Sequence, residues 1–296
     1  MRIIWPPLLL LIFCSCHAQQ APHLLKSNKD ENSLLWEISG KGLSSPSYLF
    51  GSFHLLCRSD IHFSEQLKRA FEDSKEIYLE LKLDDPANLI NGLMLMNMKG
   101  DKRLKDLYSA DEYKKVKNFF TDSLGLSLLL FQSMKPAFLE SMLYPKLLPC
   151  ISISGVEEEL VQLAKKENKK ILGLETMAFQ ASVFDSIPYK DQANELLRTI
   201  DSLPVYKTFF DSMIMVYKSQ RLDKIENLFS KSEFGMEENQ DLLLNKRNIN
   251  WVGQLSVIMK KEKVFVAVGA GHLVGKKGLI ALLRKEGFIL RPLLNE

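Results

Sequence analysis

The chain has 296 residues, of which 46% are hydrophobic and 25% are charged, and its formal net charge is +3. This length allows one large domain or two small ones, and the composition is that of a folded protein. A net charge this small argues against nucleic acid as a partner. The sequence contains neither a zinc-type cysteine spacing nor a low-complexity tract.

The N-terminal segment MRIIWPPLLLLIFCSCHAQQ has the layout of a secretory signal peptide. Arg2 precedes an apolar block that runs to Phe13, and small and polar residues follow. We expect cleavage after Ala18, so that residues 1–18 are the signal and the mature chain is exported to the periplasm or the extracellular space. As an alternative, Cys16 would carry a lipid anchor. The apolar block is shorter than the roughly 20 residues of a membrane span, and we expect no transmembrane helix in the mature chain.

Removal of this signal leaves two of the four cysteines, Cys57 and Cys150. An even pair in an oxidising compartment predicts a disulfide bond between them. Two buried thiols are the alternative, because free cysteine is among the most buried residue types.

The first part of the mature chain alternates between strand and helix patterns. SLLWEISG (33–40) and SYLFGSFH (47–54) predict a strand pair, residues 61–74 have helical periodicity, and EIYLELKL (76–83) predicts another strand. This order is the start of an α/β unit.

The middle of the chain has mainly helical patterns. Capping-box patterns at Ser109–Glu112 and Ser154–Glu157 predict helices that run to Phe120 and to about Lys166. Between them, Ser127–Leu148 predicts a helix that Pro136 breaks.

The last part of the chain returns to strands. Residues 169–175 predict a short strand, most of 176–263 is helical, and 264–268, 277–286 and 288–294 predict a strand, a helix and a strand. We therefore predict an α/β fold, in which two β-α-β pieces from the chain ends share one sheet. A long helical insert, at about 85–168 and 176–263, lies between them in a single domain of residues 19–296.

Two histidines stand in matching positions near opposite ends of the chain. His54 follows an apolar run and Gly51, and His272 follows an apolar run with Gly269 and Gly271. Glycine at such a place allows a tight turn and a close backbone approach, so we assign these three glycines a structural role. Since ligands of open α/β sheets bind at the carboxyl ends of the strands, both imidazoles are predicted to face one site.

The glycine-rich stretch around His272 also resembles the glycine motifs of nucleotide-binding proteins. The spacing of Gly269, Gly271 and Gly275 is one residue too long for the dinucleotide fingerprint, and the phosphate-loop pattern fails as well. We therefore set nucleotide binding aside.

Two glutamates end predicted strands on the same side as the histidines. Glu80 lies between apolar neighbours, and Glu175 ends the strand ILGLE. A buried carboxylate needs a metal, an arginine or a histidine as its partner. Arg247 and Asn248, in the helix before the last long strand, are candidates for that role. A helix-capping or surface role is the alternative for each glutamate.

Five ordered segments together resemble the TraB/PrgY/GumN family, which includes the Tiki metalloproteases. They are YLFGSFHLL, IYLEL, ILGLETMAFQ, LLLNKRNINWV and VFVAVGAGHLVGKKGLIALLRKEGF. The resemblance covers most of the mature chain. It implies an α/β fold with paired Gly-x-x-His motifs, and the site residues that it implies are His54, Glu80, Arg247, Asn248 and His272.

The resemblance also implies an activity, which in the Tiki branch is manganese- or cobalt-dependent peptide hydrolysis. Our leading hypothesis is thus a hydrolase that acts on peptides or proteins, with a divalent metal on His54, His272 and Glu80. Arg247 or Asn248 would stabilise the oxyanion. One alternative is an exported protein that binds a peptide or a small ligand such as haem without turnover. Another is a metal-free esterase with histidine as the base.

Overall fold

The computed structural model of the protein describes residues 30–82, 92–230 and 239–295. The predicted signal peptide, its cleavage point and the lipidation alternative at Cys16 lie outside the described residues.

The strands of the described chain form one large and one small sheet. The large sheet has six strands in the order β6-β4-β7-β2-β1-β8, and the small one pairs β3 with β5. Their bounds are β1 Leu35–Gly40, β2 Ser47–Ser52, β3 Leu56–Cys57, β4 Glu76–Leu81, β5 Ile153–Ser154, β6 Lys170–Glu175, β7 Val264–Gly269 and β8 Phe288–Pro292.

Helices occupy most of the remaining described chain. Their bounds are α1 Glu65–Asp73, α2 Ala110–Leu124, α3 Pro136–Ser141, α4 Val156–Lys166, α5 Met177–Asp185, α6 Tyr189–Asp201, α7 Leu203–Lys218, α8 Leu222–Ser230, α9 Lys246–Lys261 and α10 Leu279–Lys285. Within the described residues, no helix is both long and apolar enough to cross a membrane.

Four neighbouring strands of the large sheet run parallel, and this arrangement positions the site. β4 pairs in parallel with β6 and with β7, and β7 pairs in parallel with β2. β1 is antiparallel to both β2 and β8. The carboxyl ends of β6, β4, β7 and β2 therefore meet at one edge. The predicted α/β class is confirmed, and strands from both ends of the chain share the sheet.

The predicted helix over Ser127–Leu148 is wrong. In its place are 3-10 turns at Leu128–Phe131 and Tyr144–Leu147, with the short helix α3 between them. Prolines explain the difference: Pro136 is the first residue of α3 and Pro145 lies in the second turn. Proline fits the first turn of a helix but cannot donate a hydrogen bond inside one.

One of the two predicted capping boxes is confirmed and the other is shifted. The hydroxyl of Ser109 accepts a hydrogen bond from the Glu112 backbone N–H, and the Glu112 carboxylate accepts one from the Ser109 N–H. At α4 the N-cap is Gly155 rather than Ser154, and Glu158 takes the place predicted for Glu157. The side chain of Glu157 therefore takes no part in this capping box.

The apolar core has two parts. The main part packs the large sheet against its helices and includes Trp36, Phe71, Trp251 and Phe265, each fully buried. A second cluster lies inside the helical insert. Its buried members are Met98, Leu104, Val116, Phe120, Leu128, Leu139, Leu143 and Leu196.

The predicted disulfide between Cys57 and Cys150 is confirmed, with a Cα–Cα distance of 5.9 Å. Cys57 belongs to β3, whose register with β5 pairs Leu56 with Ser154 and Cys57 with Ile153. The bond thus joins the segment after His54 to the part of the insert just before β5.

Candidate functional site

The candidate site lies at the edge where the four parallel strands end. Glu80 is the penultimate residue of β4 and Glu175 is the last residue of β6. His54 follows β2 by two residues, and His272 ends a 3-10 turn, Ala270–His272, directly after β7.

The start of α9 supplies the two polar residues that face these strands. Arg247 and Asn248 are both buried there. A π-helical turn, Asp241–Asn245, leads directly into α9. The Leu243 carbonyl oxygen in that turn accepts a hydrogen bond of 2.8 Å from Arg247 Nη1. This widened turn, a feature that often accompanies functional sites, thus helps to orient the guanidinium.

Arg247 binds the two buried glutamates. Its Nη2 lies 2.6 Å from Glu80 Oε2 and 2.9 Å from Glu175 Oε2, and its Nε donates to both oxygens of Glu175 at 3.0 and 3.1 Å. A guanidinium in this geometry offsets the cost of burying two neighbouring carboxylates. Burial still raises the pKa of Glu175, although Arg247 opposes that shift.

His272 is a buried imidazole with a fixed tautomer. The Asn248 amide nitrogen donates to the backbone carbonyls of His272 and Lys277, so the amide oxygen faces His272 Nδ1, at 2.6 Å. Nδ1 therefore carries the proton, and Nε2 has the lone pair. The ring lies 4.4 Å from that of Trp251, and burial lowers the pKa of His272 to about 3, which keeps the ring neutral.

His54 is exposed, in contrast to His272. Solvent reaches 69% of its side chain, yet its Nδ1 lies 2.8 Å from Glu157 Oε1. Attraction to Glu157 is the largest cause that raises the pKa of His54, to about 9. Because the ring is exposed, solvent screens part of this attraction.

Both imidazoles turn their Nε2 atoms to the same oxygen. Glu80 Oε1 lies 4.0 Å from His54 Nε2 and 3.7 Å from His272 Nε2, and it accepts a hydrogen bond of 2.8 Å from the Gly269 N–H. Two histidines that are distant in the sequence thus face one carboxylate.

Two of the glycines assigned a structural role lie where side chains approach closely. A Cβ on Gly269 would lie 3.3 Å from Glu80 Oε1 and 3.4 Å from His54 Nε2. A Cβ on Gly51 would lie 2.7 Å from a methyl group of Leu273. Gly271 lies in the 3-10 turn that presents His272.

Two of the buried glutamates of the cluster are held in the charged form. Burial alone would raise the pKa of Glu80, but the imidazoles, Arg247 and the Gly269 N–H lower it to about 2. Burial is likewise outweighed at Glu157, where His54 and Ser52 hold the pKa below its usual value. Both groups are therefore carboxylates at neutral pH; Glu80 shares the Arg247 guanidinium with Glu175, and Glu157 faces His54.

Sequence reasoning missed Glu157. Its position after Ser154 fitted a capping box, and that local interpretation removed it from the candidate carboxylates. The carboxylate is buried and accepts hydrogen bonds from His54 and from the Ser52 hydroxyl. The sequence did contain a hint of this role. Glu157, Glu158 and Glu159 are consecutive, and capping one helix N-terminus does not require three acidic residues, so one of them was available for another role.

The metal-ligand set predicted from the sequence is not spaced for direct chelation. Among the residues that the structure describes, no group of three or more His, Cys, Asp or Glu side chains stands at metal-binding distances. His54, His272 and Glu80 are neighbours, but their separations are those of hydrogen-bonding or slightly longer contacts.

Fold and site together define a class: an α/β protein with a His–Glu–Arg cluster at the carboxyl edge of a mostly parallel sheet. The chain belongs to the TraB/PrgY/gumN family, which matches residues 34–292. The predicted family resemblance is thus confirmed. No solved structure matches the chain.

Among curated proteins, the chain is similar to animal metalloproteases. Metalloprotease TIKI2 of Danio rerio is 23% identical over 316 residues, which cover 88% of this chain and 61% of that protein. Metalloprotease TIKI2 of Xenopus tropicalis is 24% identical, over 90% of this chain and 60% of that protein. Metalloprotease TIKI1 of Danio rerio is 22% identical, over 88% and 63%. The chain therefore spans about three fifths of the length of these relatives.

Proposed function

We propose that the protein is a metal-dependent hydrolase that acts on peptides or proteins. The observation that carries the proposal is the convergence of two imidazole Nε2 atoms on Glu80 Oε1, at 4.0 and 3.7 Å. The similarity to proteins named metalloproteases supports it. We infer the peptide or protein substrate from those names.

The residues at the edge of the sheet fit a divalent cation in ligand type and in imidazole tautomer, although not yet in spacing. Carboxylate oxygen and imidazole nitrogen are both ligands that divalent metals accept, and the site places Glu80 beside two imidazoles. Hydrogen bonds at Nδ1 leave an Nε2 lone pair on His272, and on His54 once it is neutral. The separations of 4.0 and 3.7 Å between the imidazoles and Glu80 are longer than those of ligands on one ion, so these three side chains would have to move closer together to hold it.

The proposed ligands are His54, His272 and Glu80, with manganese or cobalt as the metals to test first. His272 Nε2 now accepts a hydrogen bond from Arg247 Nη1 at 3.3 Å, and this contact would have to break before the nitrogen could hold an ion. When bound, such an ion would supply Lewis-acid activation of water or of the scissile carbonyl.

Arg247 and Asn248 act, in this proposal, by holding the other residues. The guanidinium donates to Glu80, Glu175, His272 and the Leu243 carbonyl, which uses all five of its N–H groups. The amide of Asn248 is occupied on both sides. We therefore replace the oxyanion role predicted for these residues by one of orientation and charge balance.

Substrate would approach over the exposed ring of His54. The other members of the cluster, Glu80, Glu175, Arg247 and His272, are buried, each with an exposure of 8% or less. Buried and mutually hydrogen-bonded groups change little when a substrate binds, which favours a preorganised site.

We further propose that the protein is exported. The layout of the N-terminal sequence and the Cys57–Cys150 disulfide both support this, since disulfides persist in oxidising compartments. N-terminal sequencing of protein recovered from cells tests it, with a mature end near Gln19 expected and an intact Met1 contradicting export.

Metal binding and peptide cleavage by matched variants test the function. We expect the purified mature chain to bind Mn²⁺ or Co²⁺ stoichiometrically in calorimetry and to cleave a fluorogenic peptide library in a chelator-sensitive way. His54→Ala and His272→Ala should each lower metal affinity at least 100-fold and abolish cleavage. His62→Ala is the control, because His62 is exposed and lies apart from the site motifs. Metal affinity unchanged in both site variants would overturn the proposal.

A further inference from the structure

The buried carboxylate of Glu157 is the starting point of this inference. Its side chain is 7% exposed, and its Oε1 accepts hydrogen bonds from His54 Nδ1 and from the Ser52 hydroxyl. Burying a carboxylate is costly unless donors satisfy it. Here a large part of that compensation comes from a single exposed imidazole, so the position of the carboxylate and that of the ring depend on each other.

The backbone also joins Glu157 to His54. The Val156 N–H donates to the Phe53 carbonyl at 3.0 Å, and the β3–β5 pairing continues the contact away from the site. A Cβ on Gly155 would lie 2.7 Å from the His54 carbonyl oxygen, a distance that a real side chain could not keep. The start of α4 and the His54 loop therefore form one unit, which we name the His54 clamp: residues 52–58 with residues 152–159.

The disulfide and an ion pair close the outer end of the His54 clamp. Cys57 is bonded to Cys150, and Arg58 Nε and Nη2 donate to Glu159 Oε1 at 2.9 and 2.7 Å. The Arg58 N–H also donates to the Ser152 carbonyl at 2.9 Å. These contacts fix the backbone on both sides of the pair formed by His54 and Glu157.

The two imidazoles of the site are thus held in different ways. His272 is enclosed by Trp251 and faces the neutral amide oxygen of Asn248. His54 lies in solvent and has a carboxylate at the equivalent ring nitrogen. The hydrogen bond to Glu157 holds the His54 ring, and without it the exposed side chain would sample several rotamers, so that Nε2 would no longer be fixed toward Glu80.

We propose that Glu157 is the positioning residue of His54. It holds the ring at Nδ1 and directs Nε2 to Glu80 Oε1, where the proposed metal or the substrate would meet it. A carboxylate in this position also makes a histidine a stronger ligand than an amide does. The inference rests on the proposed function for its chemical consequence, whereas its geometric part can be tested alone.

The experiment compares Glu157→Ala and Glu157→Gln with the control Glu158→Gln. Glu158 is exposed and contacts Ser154 and Gly155 rather than His54; glutamine keeps the oxygen that serves this capping box, so that the control removes an equal charge from the same helix end. Two readouts are needed on each full-length mature variant. One is the downfield proton signal of the His54 ring N–H in the metal-free protein, identified by its loss in His54→Ala. The other is the affinity for Co²⁺ alone.

We expect Glu157→Ala to lose the ring N–H signal and to bind Co²⁺ about 10–100-fold more weakly. Glu157→Gln should retain a weaker signal and lose less affinity, and it carries the test if the alanine variant does not fold. Glu158→Gln should change neither readout. A Glu157→Ala variant that matches Glu158→Gln in both readouts overturns the inference.

The two proposals fail in different ways. If no variant, including the wild type, binds metal while the N–H signal still depends on Glu157, then positioning is supported and the metal-dependent function is overturned. If the wild type binds Co²⁺ and Glu157→Ala does so equally well with its signal intact, then the positioning role alone is overturned.

Discussion

The carboxyl group of Glu140, which does not belong to the candidate site, has an unusual environment. It lies in α3, where the Thr199 hydroxyl donates to it at 2.9 Å. Burial is the main cause that raises its pKa, to about 7, and the charge of Glu195 adds to the shift. A raised pKa means that the folded chain holds this proton more tightly than the unfolded chain does.

Glu140 should therefore make stability depend on pH. The unfolded group has a pKa of about 4.5, so stability falls as pH rises from about 4.5 to about 7 and is level above that. Glu140→Gln removes the effect, so the variant should gain stability relative to the wild type as pH rises. The free energy of unfolding of the variant minus that of the wild type should be about 2 kcal/mol larger at pH 8 than at pH 5. Urea unfolding at both pH values measures this, with Asp122→Asn as the control. An equal difference at both pH values would contradict the assignment.

Gly269 provides a test of close approach without a change of charge. Its φ of −50° suits any residue, so alanine adds no backbone strain. The added Cβ, however, would stand 3.3 Å from Glu80 Oε1 and 3.4 Å from His54 Nε2. We expect Gly269→Ala to weaken metal binding or cleavage at least 10-fold, since small displacements at a site cost much activity. The melting temperature should change little. Metal binding and cleavage equal to those of the wild type would show that the site does not require the open space beside Gly269.

The small β3–β5 sheet depends on the disulfide beside it. Cys57 and Cys150 are 93 residues apart, and closing a loop of that length stabilises the fold by about 4–5 kcal/mol in the chain-entropy model. The double variant Cys57→Ser, Cys150→Ser should lose up to this amount in urea unfolding. Counting free thiols on the denatured, unreduced mature wild type is the companion measurement. Two free thiols would exclude the bond.

Elements with a clear local signal were predictable from the sequence. The strands on either side of the site have apolar patterns bounded by turns, and Ser109 with Glu112 encodes a helix start that the structure reproduces. The structure of residues 127–148 could not be predicted from apolar spacing alone. That spacing suits one helix, whereas Pro136 and Pro145 divide the segment into short pieces.

Parts of the site were predictable for the same reason and others were not. His54, His272, Glu80 and Glu175 all follow or end strands, so topology alone places them at one edge. Glu157 begins a helix, and its local pattern suggests a cap. Its contact with His54 depends on β5 returning to β3, a pairing of two residues per strand that no local pattern announces.

The helical insert has its own apolar cluster, which predicts uneven stability across the molecule. Phe120 is fully buried in that cluster, whereas Leu130 nearby in the insert is 77% exposed. Phe120→Ala should cost about 3–5 kcal/mol. In this variant, amide hydrogen exchange should become faster in α2 and α3 and change much less in β2, β4 and β7, since regions with separate cores open separately. Leu130→Ala is the control, and equal acceleration in helices and strands would show a single cooperative unit.

The strand order has a consequence for how the molecule folds. β7 lies between β4 and β2, although it is the seventh of the eight strands that the structure describes. A nascent chain that lacks Val264–Gly269 can pair β6 with β4 and β2 with β1, yet these halves have no common partner. His54 and Glu80 therefore stay apart until β7 inserts and brings His272 with it. Contacts between such distant parts of a chain form slowly, so the arrangement of His54, Glu80 and His272 is completed late in folding.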